Sequence, residues 1–237
     1  MWASLILLLV LFEGISCQSV PGTLINRKEV ITEEHGVVAA DDGRCSQIGS
    51  TILQRGGHAV DASIAAAFCL GVVSPASSGI GAGGLMLIRS ANGLVEAYDM
   101  RETAPAAASR DMYANDPSAK EQGGLAVGVP GQVLGLYQVW QKYGKLPWKE
   151  LVEPAIALAG LGFKISPYLY YQMTQTEAAI RQDEGLREKF MEYGELLKIG
   201  DIVRDVKLAR TLTEIAIHGP SVFYDGPEAN FCKGHEP

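Results

Sequence analysis

The sequence predicts a layered α+β domain, with α/β as the alternative class. Short apolar runs suited to strands lie in the first half of the chain, and an Asn-Gly pair separates two of them, residues 85–90 and 94–100. From residue 131 onward the apolar spacing becomes helical. The 237 residues are 47% hydrophobic and 20% charged, which is enough apolar material for a sizeable core. Early strands followed by later helices are typical of α+β domains.

The N-terminus predicts entry into the secretory route. Residues 1–17 contain an apolar run, residues 2–12, that is shorter than the roughly 20 residues a bilayer span needs. Small residues then offer cleavage after Ser16 or Cys17, as in a signal peptide. An uncleaved short anchor is the alternative. A polar leader follows at residues 18–34, and we expect the protein to be extracellular, associated with the cell surface, or held in a vacuole or another lumen.

The first elements predicted after the leader are a short strand and a helical hairpin. The strand is the apolar run at residues 35–40, and two stretches with helical spacing, residues 45–55 and 59–70, are joined by a Gly-Gly pair. An antiparallel hairpin of this kind brings Cys45 and Cys69 to the same open end. We therefore predict a disulfide between them. Two buried free thiols are the alternative.

A glycine-rich loop lies between this hairpin and the next strands. Its glycines Gly79, Gly81 and Gly84 spell G-x-G-x-x-G, a pattern that binds a dinucleotide when a strand precedes it and a helix follows. Here the order is reversed, because an Ala-rich helical stretch comes before the glycines and the apolar run "LMLI" comes after them. The pattern therefore argues against a dinucleotide site.

A strand hairpin and a series of helices complete the predicted order. Asn92 and Gly93 both tolerate positive φ, so the runs on either side of them are expected to pair. An Ala- and Pro-rich loop follows, and another strand is predicted at residues 124–131. Helices are predicted at residues 131–143, 148–161, 166–182 and 205–218, with Pro154 expected to kink or restart the second of them.

Composition and motifs exclude several classes of function. The formal net charge of -7 disfavours nucleic acid as a partner. The sequence contains no H-E-x-x-H and no C-x-x-C pattern, so we predict neither a metal site nor a cofactor. The histidines are scattered, and His58, at the turn of the helical hairpin, is expected to cap a helix or face solvent.

One cation is a candidate binding residue because of its position. Arg101 follows the second strand of the predicted hairpin, at the mouth of the glycine-rich region and between Asp99 and Glu102. A guanidinium fixed there could hold a carboxylate through two parallel hydrogen bonds. The alternative is an ion pair with Asp99 or Glu102, which is the more common fate of a charged loop residue.

Three long strings resemble the γ-glutamyltranspeptidase (glutathione hydrolase) family. They are "GGHAVDASIAAAFCLGVVSP", "SSGIGAGGLMLIRSANGLVEAYDMRETAPAAASRDMY" and "GGLAVGVPGQVLGLYQVWQKYGKLPWKELVEPAIALA". The resemblance covers residues 35–226 and is to the large-subunit portion. It implies part of an N-terminal-nucleophile hydrolase αββα sandwich that acts on γ-glutamyl bonds of glutathione and its conjugates. A threonine exposed by self-cleavage attacks the γ-glutamyl amide in such enzymes, and water or an acceptor amino acid resolves the acyl-enzyme.

The resemblance also assigns roles to particular residues. The arginine of the family's "RETAP" motif binds the α-carboxylate of the glutamyl group, and Arg101 matches it. The cysteines of the helical hairpin match a disulfide of animal-type members, which supports the pair Cys45 and Cys69. The glycine loop, by the same likeness, belongs to the packed core near the site.

The family's nucleophilic threonine and most of its γ-glutamyl contacts belong to the small subunit of the same precursor. None of the threonines in this chain lies in the nucleophile motif, and residues 227–237, which include Cys232, depart from the family pattern. We therefore expect residues 35–226 to be an incomplete large-subunit domain, with no catalytic residue and no activity on its own. The alternative is a non-catalytic truncated isoform or an interaction partner.

Overall fold

The computed structural model describes residues 32–121 and 123–225. The predicted signal peptide or anchor, nearly all of the leader and the divergent tail with Cys232 lie outside these residues. The α-helices are α1 Gly43–Gln54, α2 Ala59–Val73, α3 Gln132–Tyr143, α4 Trp148–Leu161, α5 Pro167–Gln175, α6 Glu177–Gln182, α7 Glu184–Phe190, α8 Val206–His218 and α9 Ser221–Tyr224. The strands are β1 Leu85–Arg89, β2 Val95–Asp99, β3 Phe163–Lys164, β4 Met191–Glu192, β5 Glu195–Leu196 and β6 Ile202–Val203. This mixture of helices and short strands confirms the α+β class.

The helical hairpin forms as predicted and carries the disulfide. His58 caps α2, since its Nδ1 accepts the N–H of Val60 at 3.2 Å while the Asp61 carboxylate accepts the N–H of His58 at 2.6 Å. Cys45 and Cys69 are fully buried and bonded to each other, with their Cα atoms 5.4 Å apart. The disulfide prediction is therefore confirmed, and so is the capping role of His58.

The core lies between helices, with α2 at its centre. This helix is buried on nearly every side, packs against α1 and α4, and α4 packs in turn against α8. Phe68 of α2 meets the ring of Trp148 edge-on at 5.5 Å, and the indole N–H of Trp148 donates to the carbonyl of Ile215 at 3.0 Å. A helix with no polar face can be stable only in such a position.

The strands β1 and β2 pair antiparallel, and Leu85 lies opposite Asp99 at the far end from the turn. Gly93 takes φ +88°, and the Asn92 side chain accepts the N–H of Leu94 at 3.0 Å, so the Asn-Gly turn is confirmed. One face of this hairpin packs on the core. The other face carries apolar side chains that are more than half exposed, among them Leu85 and Leu87.

Two predicted strands are wrong. Residues 35–40 have no ladder partner among the described residues, and the N–H of Ala40 donates instead to the Ser46 hydroxyl. In the segment 124–131 a single bridge joins Val129 to Thr103. Gly124–Ala126 is a 3₁₀ turn, and Pro130 has no N–H to extend the pairing.

The later helices follow the prediction with two differences. α3, α4 and α8 match within one residue, and α4 continues through Pro154. The single helix predicted at residues 166–182 is divided at Thr176 into α5 and α6. The helices α7 and α9 and the short β4–β5 and β3–β6 pairs were not predicted. None of the helices within the described ranges is long and apolar enough to span a bilayer.

Candidate functional site

Arg101 lies two residues beyond β2 and presents its side chain to solvent, with 62% of the side chain exposed. Its backbone N–H donates to the Asp99 carboxylate at 2.9 Å. Its guanidinium lies 3.2 Å from a carboxylate oxygen of Glu102. Of the two ion pairs considered for Arg101, the one with Glu102 is therefore formed. Asp99 binds the backbone N–H of Arg101 instead of its guanidinium.

The pair between Arg101 and Glu102 leaves the guanidinium available to a ligand. An exposed ion pair of this kind contributes about 0–1 kcal/mol. The guanidinium carries five N–H donors in a planar fork, and a carboxylate that accepted two of them would be bound more strongly than by a single contact. Glu102 can thus orient Arg101 without saturating it.

Paired backbone segments lie on both sides of the chain at Arg101. On one side Met100 and Gly84 exchange two hydrogen bonds at 2.9 and 3.1 Å. Just beyond, Thr103 and Val129 exchange two more at 3.1 and 2.8 Å. The side chain of Met100 is buried beneath them. Arg101 therefore combines a fixed backbone with an exposed charged end, which is the arrangement that a binding residue requires.

A cavity of about 710 Å³ is lined by the segment that follows Arg101, beginning with Glu102, whereas Arg101 itself is not part of the lining. The hydroxyl of Tyr113 donates to the carbonyl of Leu125 at 2.8 Å and ties two of its walls together. Glu102 supplies a carboxylate in a lining that is otherwise largely apolar. The lining consists of Gly81, residues 102–105, Ala108, Met112, Tyr113 and residues 126–128.

The hairpin that carries Arg101 is tied to α3 by charge. The ammonium of Lys142 donates to the carboxylate of Glu96 on β2. This bond, with a further contribution from Tyr98, raises the pKa of Lys142 above its ordinary value. The raised pKa reflects the ion pair that joins the helix to the strand.

The glycine motif does not form a dinucleotide site in this arrangement. The strand β1 begins directly after Gly84, so no helix N-terminus follows the glycines, as the order of the residues predicted. Gly81 lines the cavity, and the loop pairs with the chain just before Arg101. The loop thus packs beside the candidate binding residue, whereas the disulfide lies in the helical core.

Several residues of the site were not predicted. The walls formed by Tyr113 and by residues 126–128 come from an irregular loop and a 3₁₀ turn, whose residues carry no recognisable chemical pattern. The string "RETAP" contains Glu102 and three further lining residues, and it was the signal that could have located the cavity.

Comparison with known proteins identifies the fold and the family. Residues 45–231 match the family model described as gamma-glutamyltranspeptidase. The chain is 57% identical over 202 residues to glutathione hydrolase 2 of Arabidopsis thaliana, covering 85% of this chain and 35% of that protein. It is 42% identical over 202 residues to glutathione hydrolase proenzyme 1 of Schizosaccharomyces pombe, covering 85% of this chain and 32% of that protein.

The solved structure of Helicobacter pylori gamma-glutamyltranspeptidase superposes with a TM-score of 0.82 at 33% identity, covering 85% of this chain and 60% of that one. The fold is thus the α+β fold found in N-terminal-nucleophile hydrolases. The chain belongs to the γ-glutamyltranspeptidase family. It spans about a third of the length of the curated relatives it matches.

Proposed function

We propose that this chain supplies the donor-binding part of a γ-glutamyltransferase or glutathione hydrolase. The observation that carries the proposal is Arg101, whose backbone is fixed on both sides and whose guanidinium is exposed, while its neighbour Glu102 lines a cavity. The substrates would be glutathione, its conjugates and other γ-glutamyl compounds. Water or an amino acid would act as the acceptor.

In this proposal Arg101 holds the α-carboxylate of the glutamyl group by two parallel hydrogen bonds. That contact would fix the distance from the carboxylate to the γ-amide carbon, which must lie within reach of a nucleophile. A threonine hydroxyl of the small subunit would attack this carbon. The amine would leave, an ester would form, and the acceptor would then cleave the ester.

The nucleophile would come from outside this chain. The hydroxyls of five threonines in or beside helices donate to backbone carbonyls of the preceding turn: Thr51, Thr174, Thr176, Thr211 and Thr213. A hydroxyl committed in this way has no adjacent base to activate it. These five hydroxyls are therefore not placed to act as the nucleophile. We propose, as the family resemblance implies, that the catalytic threonine belongs to the small subunit and that this chain alone is inactive.

The outer face of the β1–β2 hairpin supports a protein partner. Leu85 and Leu87 are 73% and 75% exposed, and they lie on the same face as Val95, which is 57% exposed. Apolar side chains grouped in this way are typical of a surface that another protein covers. We propose that the small subunit of the same precursor packs there.

We also propose a secretory location, extracellular, at the cell surface or in a lumen. The disulfide between Cys45 and Cys69 supports it, because structural disulfides persist mainly in oxidising compartments.

The proposed role of Arg101 is tested in the complete native product that contains these residues. Replacing Arg101 by alanine should raise the KM for a γ-glutamyl anilide by about 10- to 100-fold, the value of a hydrogen-bonded charge contact. Arg101→Lys, which keeps the charge but loses the fork, should give a smaller increase. An unchanged KM in both variants would remove Arg101 from the donor site.

The alternative proposal is a non-catalytic isoform or interaction partner. It is tested by the intact mass of the endogenous protein captured with an antibody against residues 101–120. A product that ends at residue 237 would favour the isoform. A longer precursor with its cleaved large subunit would favour the enzyme.

A further inference from the structure

We infer that Gly83 and Gly131 are positioning residues for Arg101, because each forms a wall against which the Met100–Arg101 peptide packs. This inference rests on the proposed function of Arg101 as the carboxylate-binding residue. It concerns how the guanidinium is placed, since neither glycine has a side chain that could touch a substrate.

Gly83 approaches the chain at Arg101 more closely than any other residue type could. A Cβ atom at Gly83 would lie 2.5 Å from the carbonyl oxygen of Met100 and 2.8 Å from the Cα of Arg101. Real Cβ atoms essentially never come within 3.0 Å of such neighbours. The obstructing atoms belong to the backbone, so a flexible side chain cannot move aside to relieve the clash.

Gly131, the residue just before α3, lies equally close to the same peptide. A Cβ atom there would lie 2.3 Å from the carbonyl oxygen of Met100 and 2.5 Å from that of Arg101. Its φ is -109°, a value that other residues adopt freely. The space beside Met100 and Arg101, not the backbone conformation, therefore requires glycine at this position.

The two walls are joined to each other. The carbonyl of Ala82 accepts the N–H of Gly131 at 3.3 Å and that of Gln132 at 3.0 Å. A displacement of either wall is therefore transmitted to the other.

Neighbouring glycines of the same loop do not share this contact. A Cβ atom at Gly81 or at Gly84 would meet no described atom within 4 Å. The loop matches G-x-G-x-x-G through Gly79, Gly81 and Gly84. The glycine that packing against Arg101 requires is Gly83, which occupies one of the variable positions of that pattern.

The consequence for binding follows from geometry. A methyl group at Gly83 or Gly131 must displace the Met100–Arg101 peptide, and the shift is carried to the end of the long Arg101 side chain. Two parallel hydrogen bonds to a carboxylate tolerate little misplacement, and an error of about 1 Å can cost about 100-fold. Donor binding should therefore weaken while the chemistry at the γ-amide is largely unchanged.

The test compares Gly83→Ala, Gly131→Ala and the control Gly160→Ala in the complete native product. Gly160 lies in α4, where a Cβ atom would meet the Cβ of Ala209 at an ordinary contact distance of 3.6 Å. We expect the first two variants to raise the KM for a γ-glutamyl anilide by about 10-fold with kcat changed by less than about 3-fold. Gly160→Ala should resemble the unmodified enzyme. With a donor anilide that lacks the α-carboxylate, all three variants should match the unmodified enzyme in kcat/KM, a pattern that general loss of structure would not give.

The possible failures are distinguishable. If Arg101→Ala raises KM but Gly83→Ala and Gly131→Ala do not, the positioning inference is wrong and the proposed function stands. If Arg101→Ala has no effect, the proposed role of Arg101 fails, and the positioning inference fails with it.

A milder variant covers the case in which neither alanine variant folds. A Cβ atom at Gly128 would lie 3.1 Å from the Cβ of Glu102, the ion-pair partner of Arg101. Gly128→Ala should raise KM by about 2- to 5-fold with kcat retained. An unaltered KM in Gly128→Ala would mean that displacing the residue next to Arg101 does not affect the position of the guanidinium. Because the inference depends on that effect, this result would overturn it.

Discussion

Asp99 binds the backbone of Arg101, with its carboxylate oxygen 2.9 Å from the Arg101 amide nitrogen. Asp99 ends β2, so this bond fixes the direction in which the chain leaves the strand. The guanidinium of Arg101 is left to Glu102 and to solvent. A simple charge argument would pair the Asp99 carboxylate with the Arg101 side chain. In the structure that carboxylate binds the Arg101 main chain instead.

Replacing Asp99 should therefore affect donor binding through geometry. Asp99→Ala removes the acceptor for the Arg101 N–H and should raise the donor KM by about 3- to 10-fold, the value of one lost hydrogen bond. Asp99→Asn keeps an oxygen acceptor and should stay within about 2-fold of the unmodified enzyme. Steady-state kinetics on both variants checks this. Equal effects of alanine and asparagine would indicate that the charge of Asp99 matters, not its bond to the backbone.

Reduction of the Cys45–Cys69 disulfide should destabilise the helical core. The bond joins residues separated by 24 positions, and closing a loop of this length is worth about 3–4 kcal/mol in the chain-entropy model. Urea denaturation with and without a thiol reductant measures the loss. A variant with both cysteines replaced by alanine is the control, and its midpoint should not respond to the reductant. If the unmodified protein also failed to respond, the predicted stabilisation would be absent.

The sequence was sufficient to predict the helices because their patterns are local. Apolar spacing and capping residues such as His58 mark α1 to α4 and α8 within a few residues of their ends. The hairpin β1–β2 was predictable for the same reason, since Asn92 and Gly93 specify its turn. The long-range disulfide was predictable because it depends only on this local helical hairpin.

The strands that were predicted incorrectly show that a local apolar pattern carries no information about a pairing partner. Residues 35–40 are apolar enough for a strand, but a strand also needs a partner, and the backbone of Ala40 bonds to Ser46 instead. The position of Arg101 could be predicted from its motif, whereas its close contact with Gly83 and Gly131 could not. That contact depends on backbone segments brought together by the fold.

Acid should weaken the contact between α7 and α8. Burial alone would raise the pKa of Asp205. The ion pair with Lys189 at 2.7 Å and the hydrogen bond from the N–H of Leu208 favour the charged carboxylate and outweigh the effect of burial. The pKa of Asp205 therefore lies below the ordinary 3.8. A lowered pKa in the folded state means that the stabilisation is present above pH 3.8 and is lost as the pH falls through the lower folded pKa.

Asp205→Ala should therefore lower the free energy of unfolding by about 1–2 kcal/mol at pH 7, from the lost helix cap and ion pair. The difference between the urea midpoints of the two proteins should stay constant from pH 7 to about pH 4 and should narrow as the pH falls further toward 3. Asp205→Asn, which keeps a capping oxygen, should lose less at pH 7. A difference that stayed constant down to pH 3 would contradict the assignment to the carboxylate.

The exposed face of β1–β2 gives a prediction about assembly. Leu87 is 75% exposed on that face, and Leu161, which belongs to α4 and not to the hairpin, is 77% exposed. If the small subunit covers the hairpin, Leu87→Glu would bury a charge in the interface and should reduce copurification of the coexpressed downstream segment by more than about 10-fold. Leu161→Glu introduces the same charge at matched exposure and should leave copurification unchanged. Equal yields from the two variants would place the partner elsewhere.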